Sequence, residues 1–166
     1  KQAAAAVGQS RLMWAYEKSF ERVDVKVAQI LLTHQDLADR RRFLNARHTL
    51  AALIGFGVIP IINENDTVAV DEIRVGDNDT LAALVAHLAE ADMLVLLTDQ
   101  DGFYKADPRK DPNAVKIAVV EKIDKKAYAR ASGTDNLVSV GGMKTKLEAA
   151  QKAGRYGVPT IVAHGR

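Results

Sequence analysis

The chain contains no cysteine, which removes disulfide frameworks, thiolate nucleophiles and cysteine-ligated zinc or iron–sulfur sites in one step. A cysteine-free chain suits a reducing compartment, and the cytoplasm is the expected location. Aromatic residues are scarce, at 5% with a single tryptophan. Trp14, Tyr16 and Phe20 therefore read as core or interface residues and not as a platform for stacking bases. The longest apolar runs are strand-sized, short of the ~18–20 residues that a membrane span needs. The opening KQAAAAVGQSR does not read as a signal peptide, because its small residues run into a charged helix without an apolar stretch. His34, His48, His87 and His164 have no metal-ligand spacing, and no G-x-x-x-x-G-K-[ST] phosphate loop occurs.

What is present suits one α/β domain: 166 residues, 48% hydrophobic and 27% charged, enough to bury a sizeable core. The net charge of +2 conceals a segregation along the chain. Residues 1–60 carry nine basic and five acidic side chains, residues 61–101 one and ten, and residues 102–166 thirteen and six. An acidic middle followed by a basic end suits a site holding a cationic group on one side and phosphate on the other. It argues against a uniformly basic nucleic-acid binder. Scattered surface charge is the plainer alternative.

Apolar periodicity predicts helices over 3–23, 36–54, 80–91, 124–131 and 143–153, and strands over 25–32, 58–62, 93–97, 115–120 and 158–163. The strands are apolar throughout rather than at alternate positions. Alternation of such strands with helices predicts a mainly parallel sheet covered on both faces, an α/β/α three-layer sandwich.

In open parallel sheets ligands bind beyond the carboxyl ends of the strands. Three polar clusters fall at such places or at helix starts. Asn63-Glu64-Asn65-Asp66 follows the 58–62 strand and could hold a zwitterion, carboxylate to ammonium and amide to carboxylate, although Asn and Asp are also ordinary turn formers. Gly76-Asp77-Asn78-Asp79-Thr80 opens a helix, with one side chain expected to cap it and the others to face a cleft. Gly141-Gly142-Met143-Lys144-Thr145-Lys146 combines paired glycines, a helix N-terminus and lysine, a suitable cradle for phosphate, while a solvated lysine is the bland reading.

Together these clusters resemble the amino-acid kinase family. TDQDGFYKADPR at 98–109 is similar to the family's loop for the base and ribose of a nucleotide, and GGMKTK at 141–146 to its glycine–lysine helix start at the phosphates. RFLNARHTLAALI at 42–54, VIPIINENDTVAVDEI at 58–73 and VGDNDTLAALVA at 75–86 resemble the branch that phosphorylates glutamate. The resemblance extends over essentially the whole chain and implies the amino-acid kinase fold. The implied reaction is transfer of the ATP γ-phosphoryl group, with Mg2+, to the side-chain carboxylate of L-glutamate, the first step of proline synthesis. It matches Asp66 and Asn78 to glutamate binding, and Asp79 to a carboxylate that organises the site. Thr98, Asp99 and the stretch Val140, Gly141, Gly142, Met143, Lys144, Thr145, Lys146 match nucleotide contacts, with Lys146 also stabilising the transferring phosphoryl group. Homo-oligomers and inhibition by proline are implied as well.

There are departures. Val140 stands where the family usually has a small hydroxylated residue. The family's first strand, with its lysine–glycine phosphate loop, and its serine–glycine turn would precede Lys1, and a C-terminal RNA-modification-type domain is not in these residues. Residues 1–166 are therefore expected to form an incomplete kinase domain, without turnover when isolated. The competing readings are an acetylglutamate or uridylate kinase, the kinase half of a bifunctional pyrroline-5-carboxylate synthase, or a non-catalytic binding module.

Overall fold

Helix and strand alternate as the periodicity predicts, and the chain leaves its helices by one repeated device. The computed structural model describes residues 2–68, 77–108, 110–132 and 142–166. They divide into two units, residues 1–76 and 77–166. In the first, α1 (Gln2–Glu21) leads to β1 (Val27–Leu32), α2 (His34–Ala38), α3 (Arg40–Gly55) and β2 (Ile59–Glu64). β1 and β2 pair in parallel from Val27 against Ile59 to Leu32 against Glu64. Leu50 of α3 is the most enclosed side chain of this unit, whereas α1 buries none of its residues. Trp14, read as a core or interface residue, is 63% exposed and so is not part of this unit's core.

The helix expected over 36–54 is two helices. Thr33 and Asp36 form a reciprocal capping box at the start of α2, and Asp39 turns extended and caps α3 by accepting from the Arg42 N–H at 2.9 Å. An aspartate that stops one helix and starts the next is hidden from a periodicity that continues through it.

The second unit contains α4 (Asn78–Leu88), β3 (Leu94–Thr98), β4 (Phe103–Tyr104), β5 (Lys116–Ile117), α5 (Lys125–Ser132), α6 (Met143–Arg155) and β6 (Thr160–His164). β3 and β6 pair in parallel, with Leu94 opposite Thr160. The strand expected over 115–120 is reduced to β5, which pairs antiparallel with β4 inside what the sequence presents as a loop. Leu94 and Leu96 pack on Ala83 and Ala86 of α4 and on Ala149 and Ala153 of α6. Alanines at these positions bring the two helices close together. The fold is α/β with parallel strands, as the sequence predicts. Residues 69–76, including most of VAVDEIRV, and the polar loop after Ser132 lie outside the described residues.

Four helices run into strands through the same backbone turn. The N–H groups of Val25, Val58, Ala91 and Val158 reach back to the carbonyls of Phe20, Leu53, Ala86 and Ala153 at 2.9–3.2 Å, and the residue before each closes a shorter bond. That preceding residue is left-handed in every case: Asp24 (φ 55°), Gly57 (70°), Glu90 (52°) and Gly157 (77°). This is the Schellman arrangement, which satisfies the last helical carbonyls. The stop of α6 is accordingly Gly157, and Gly154, just past the predicted end at residue 153, is helical.

Candidate functional site

The first turn of α4 distributes three polar side chains among three tasks. Asp77 is the cap: its backbone is extended, and its carboxylate accepts from the Thr80 N–H at 2.8 Å and the Thr80 hydroxyl at 3.0 Å. Asn78 is exposed, and its side chain makes no hydrogen bond among the described residues. Asp79 is thus released from capping and turns toward α6.

Gly142 caps α6 without a side chain, leaving the first N–H groups of that helix without a side-chain acceptor. Thr145 and Lys146, in the same turn, both meet Asp79. The Thr145 hydroxyl lies 2.7 Å from Asp79 Oδ2, and Lys146 Nζ lies 3.1 Å from Oδ2 and 3.4 Å from Oδ1. The side chains of Lys146 and Asp79 are only 8% and 16% exposed. A lysine so enclosed requires a counter-charge, and Asp79 supplies it. A second tie joins the helices where Lys152 Nζ reaches the Thr80 hydroxyl at 3.5 Å. The structure therefore brings Asp79, Thr145 and Lys146 into one buried clasp.

The other predicted residues are placed as follows. Met143 is half-buried and packs on the cluster of Phe103, Ala127 and Leu147, while Lys144 is exposed. Thr98 ends β3 and Asp99 follows it; the Thr98 hydroxyl donates to Asp99 at 3.1 Å and the Thr98 carbonyl accepts from the Gly165 N–H at 2.9 Å. They sit at the carboxyl ends of parallel strands, as expected. Val140 and Gly141 lie outside the described residues.

Asp66 belongs to the first unit and is half-buried in the turn after β2. Its polar neighbours do not all follow the strand: Asn63 and Glu64 are the last residues of β2, and Glu64 is buried. The Asn65 N–H continues the ladder to the Leu32 carbonyl at 2.8 Å, and the Asn65 side chain accepts from Thr67.

Within the second unit a cleft of about 820 Å³ runs beside α6, walled by Phe103, Ile117 and Leu147 and by the cations Lys116, Lys146 and Arg155. At its margin the Tyr104 hydroxyl donates to Asp101, with Lys116 at 3.4 Å, and this holds the Asp101 carboxyl below its usual range. The same bond raises the Tyr104 phenol. Among the described residues no three His, Asp or Glu side chains are gathered to hold a metal, and both Asp79 oxygens are engaged by Lys146. The described residues thus do not provide a protein cage for Mg2+.

Sequence reasoning missed the Thr145–Asp79 bond, because nothing in a T-K pair announces a carboxylate on another helix. Asp107 was quoted within a motif without a task, yet it is 7% exposed.

Comparison with known proteins gives the family. Residues 1–164 match the amino acid kinase family. The chain is similar to the glutamate 5-kinase of Geobacter sulfurreducens, with 62% identity over 166 residues that cover all of this chain and 44% of that protein. Those of Azoarcus sp. and Pelobacter propionicus are 59% and 58% identical, covering 99% and 100% of this chain and again 44% of each relative. The chain spans less than half the length of these curated relatives. With parallel strand pairs, polar clusters at strand and helix ends and a match along nearly its whole length, the chain belongs to the amino acid kinase family.

Proposed function

We propose that the chain forms part of a kinase domain that transfers the γ-phosphoryl group of ATP to the side-chain carboxylate of L-glutamate, giving L-glutamyl 5-phosphate. The observation that carries this reading is the clasp of Asp79, Thr145 and Lys146, two helix starts joined by a buried lysine–carboxylate pair, in a chain about 60% identical to glutamate 5-kinases. In the transfer a carboxylate oxygen of glutamate bonds to the γ-phosphorus, the bond from that phosphorus to the β,γ-bridging oxygen breaks, and ADP leaves. The nucleophile is already anionic, so no general base is required. Catalysis then consists of positioning and of offsetting charge on the phosphoryl oxygens.

In this reading Lys146 stabilises the transferring group and Asp79 holds its ammonium in line. Asp66 pairs with the α-ammonium of glutamate, and Asn78 with its polar groups. The N–H groups at the start of α6, together with Val140 to Lys146, hold the phosphates. Thr98 and Asp99 contact the nucleoside, and the apolar and basic cleft accommodates the nucleotide. Magnesium would arrive on the nucleotide's phosphates.

Hydroxamate trapping of the acyl phosphate on the complete gene product, with a panel of amino acids and UMP, tests the proposal. Glutamate is the expected acceptor, and activity on another acceptor with none on glutamate overturns it. The same reading expects a cytoplasmic homo-oligomer inhibited by proline, which sedimentation and a proline titration of the assay would check. Among the described residues no helix is long and apolar enough to cross a membrane.

A further inference from the structure

Thr145 was matched to the nucleotide, but the structure directs its hydroxyl elsewhere. The oxygen is 2.7 Å from Asp79 Oδ2 and 2.8 Å from the Gly142 carbonyl. Both neighbours are acceptors, and a hydroxyl has one proton to give. The carboxylate is the closer and the stronger acceptor, because it is charged. Asp79 Oδ2 therefore receives Thr145 O–H and Lys146 N–H together, while among the described residues Oδ1 has only the longer contact to Lys146 at 3.4 Å. Without the threonine, rotation of the Asp79 carboxylate would be restrained by the lysine alone, itself a flexible side chain.

We infer that Thr145 is a positioning residue. Its hydroxyl pins the Asp79 carboxylate so that Lys146 is presented in one orientation, and its side chain does not bind nucleotide. The Thr145 backbone N–H, in the first helical turn, stays available to phosphate. The kinetic part of this inference rests on the kinase reading above; the geometric part does not.

The test compares Thr145→Val and Thr145→Ser in the complete gene product. Thr145→Val is expected to lower kcat about 10- to 100-fold, the loss of one hydrogen bond to a charged group. KM for ATP should stay within about threefold, since uniform binding is untouched. Thr145→Ser, which keeps the hydroxyl, should return kcat to within about threefold of the unsubstituted protein. A readout independent of activity is acylation of Lys146 by an amine reagent, followed by peptide mass spectrometry. It should quicken several-fold in Thr145→Val and not in Thr145→Ser. A raised KM for ATP at unchanged kcat would make Thr145 a nucleotide ligand and overturn the inference, as would equal Lys146 acylation in Thr145→Val and the unsubstituted protein. If glutamate is not phosphorylated at all, the kinase reading falls and acylation alone decides the clasp. Should Thr145→Val fail to fold by circular dichroism, Thr145→Ala replaces it with the same expected outcomes.

Discussion

Replacing Asp79 by alanine removes the carboxylate that pairs with the Lys146 ammonium between α4 and α6. Breaking a buried ion pair by removing one partner costs ~3–5 kcal/mol, because the remaining charge is left uncompensated. Here the lysine side chain is 8% exposed and lines a cleft, so partial escape to water puts the cost near the lower end, about 3 kcal/mol. For a chain of this size that lowers Tm by about 6–12 °C. Thermal unfolding followed by circular dichroism measures the total, and hydrogen exchange localises it: amides of α4 and α6 should lose protection. Adding Lys146→Met to Asp79→Ala removes the charge that has lost its carboxylate and should restore most of the stability but none of the activity. A cost below about 1 kcal/mol for Asp79→Ala, or a double variant whose loss equals the sum of the two singles, would refute the argument that the pair is buried and coupled.

Leu88→Ala, at a side chain with no exposed surface, should cost ~2–5 kcal/mol in chemical denaturation. The left-handed turns give two opposite outcomes. Asp24→Gly relieves a positive φ of 55° and should stabilise by about 1 kcal/mol. Gly157→Ala, where a Cβ meets nothing within 4 Å, should cost about as much through the torsion alone; equal Tm values for both variants would contradict this. Burial pushes the Asp36 carboxyl up, but hydrogen bonds from the Thr33 hydroxyl and N–H, with Arg42 beside it, outweigh this and leave it below the usual carboxylate range. A depressed carboxyl stabilises above its unfolded value and ceases to as pH falls through the folded one. Asp36→Ala should therefore lower Tm at neutral pH, by a difference that shrinks as the pH falls below the usual carboxylate range and is gone once the depressed folded value has been passed.

The order of elements was legible because uninterrupted apolar strands and helical spacing are signals of the local chain. Val27–Leu32, Leu94–Thr98 and Thr160–His164 lie within two residues of where that pattern puts them. The break at Asp39 and the pairing of β4 with β5 were hidden, since each depends on where a side chain or a distant strand sends its hydrogen bonds. At the site, Gly76 to Thr80 announced a cap plus spare polar groups, but assigning the cap to Asp77 and the ion pair to Asp79 required the position of α6. The Thr145 bond to Asp79 joins two helices far apart in sequence and leaves no trace in either segment alone.

The strand pairing also sets a timetable for synthesis. β1 has its partner once the chain has passed Glu64, so the first sheet can form early from nearly contiguous residues. Leu94 and its neighbours must instead wait for Thr160 to His164, with β4, β5, α5 and α6 made in the interval. During that wait an apolar strand edge stands open to any passing chain. The second unit, which holds the clasp, thus closes later than the first and depends more on protection while it is being made.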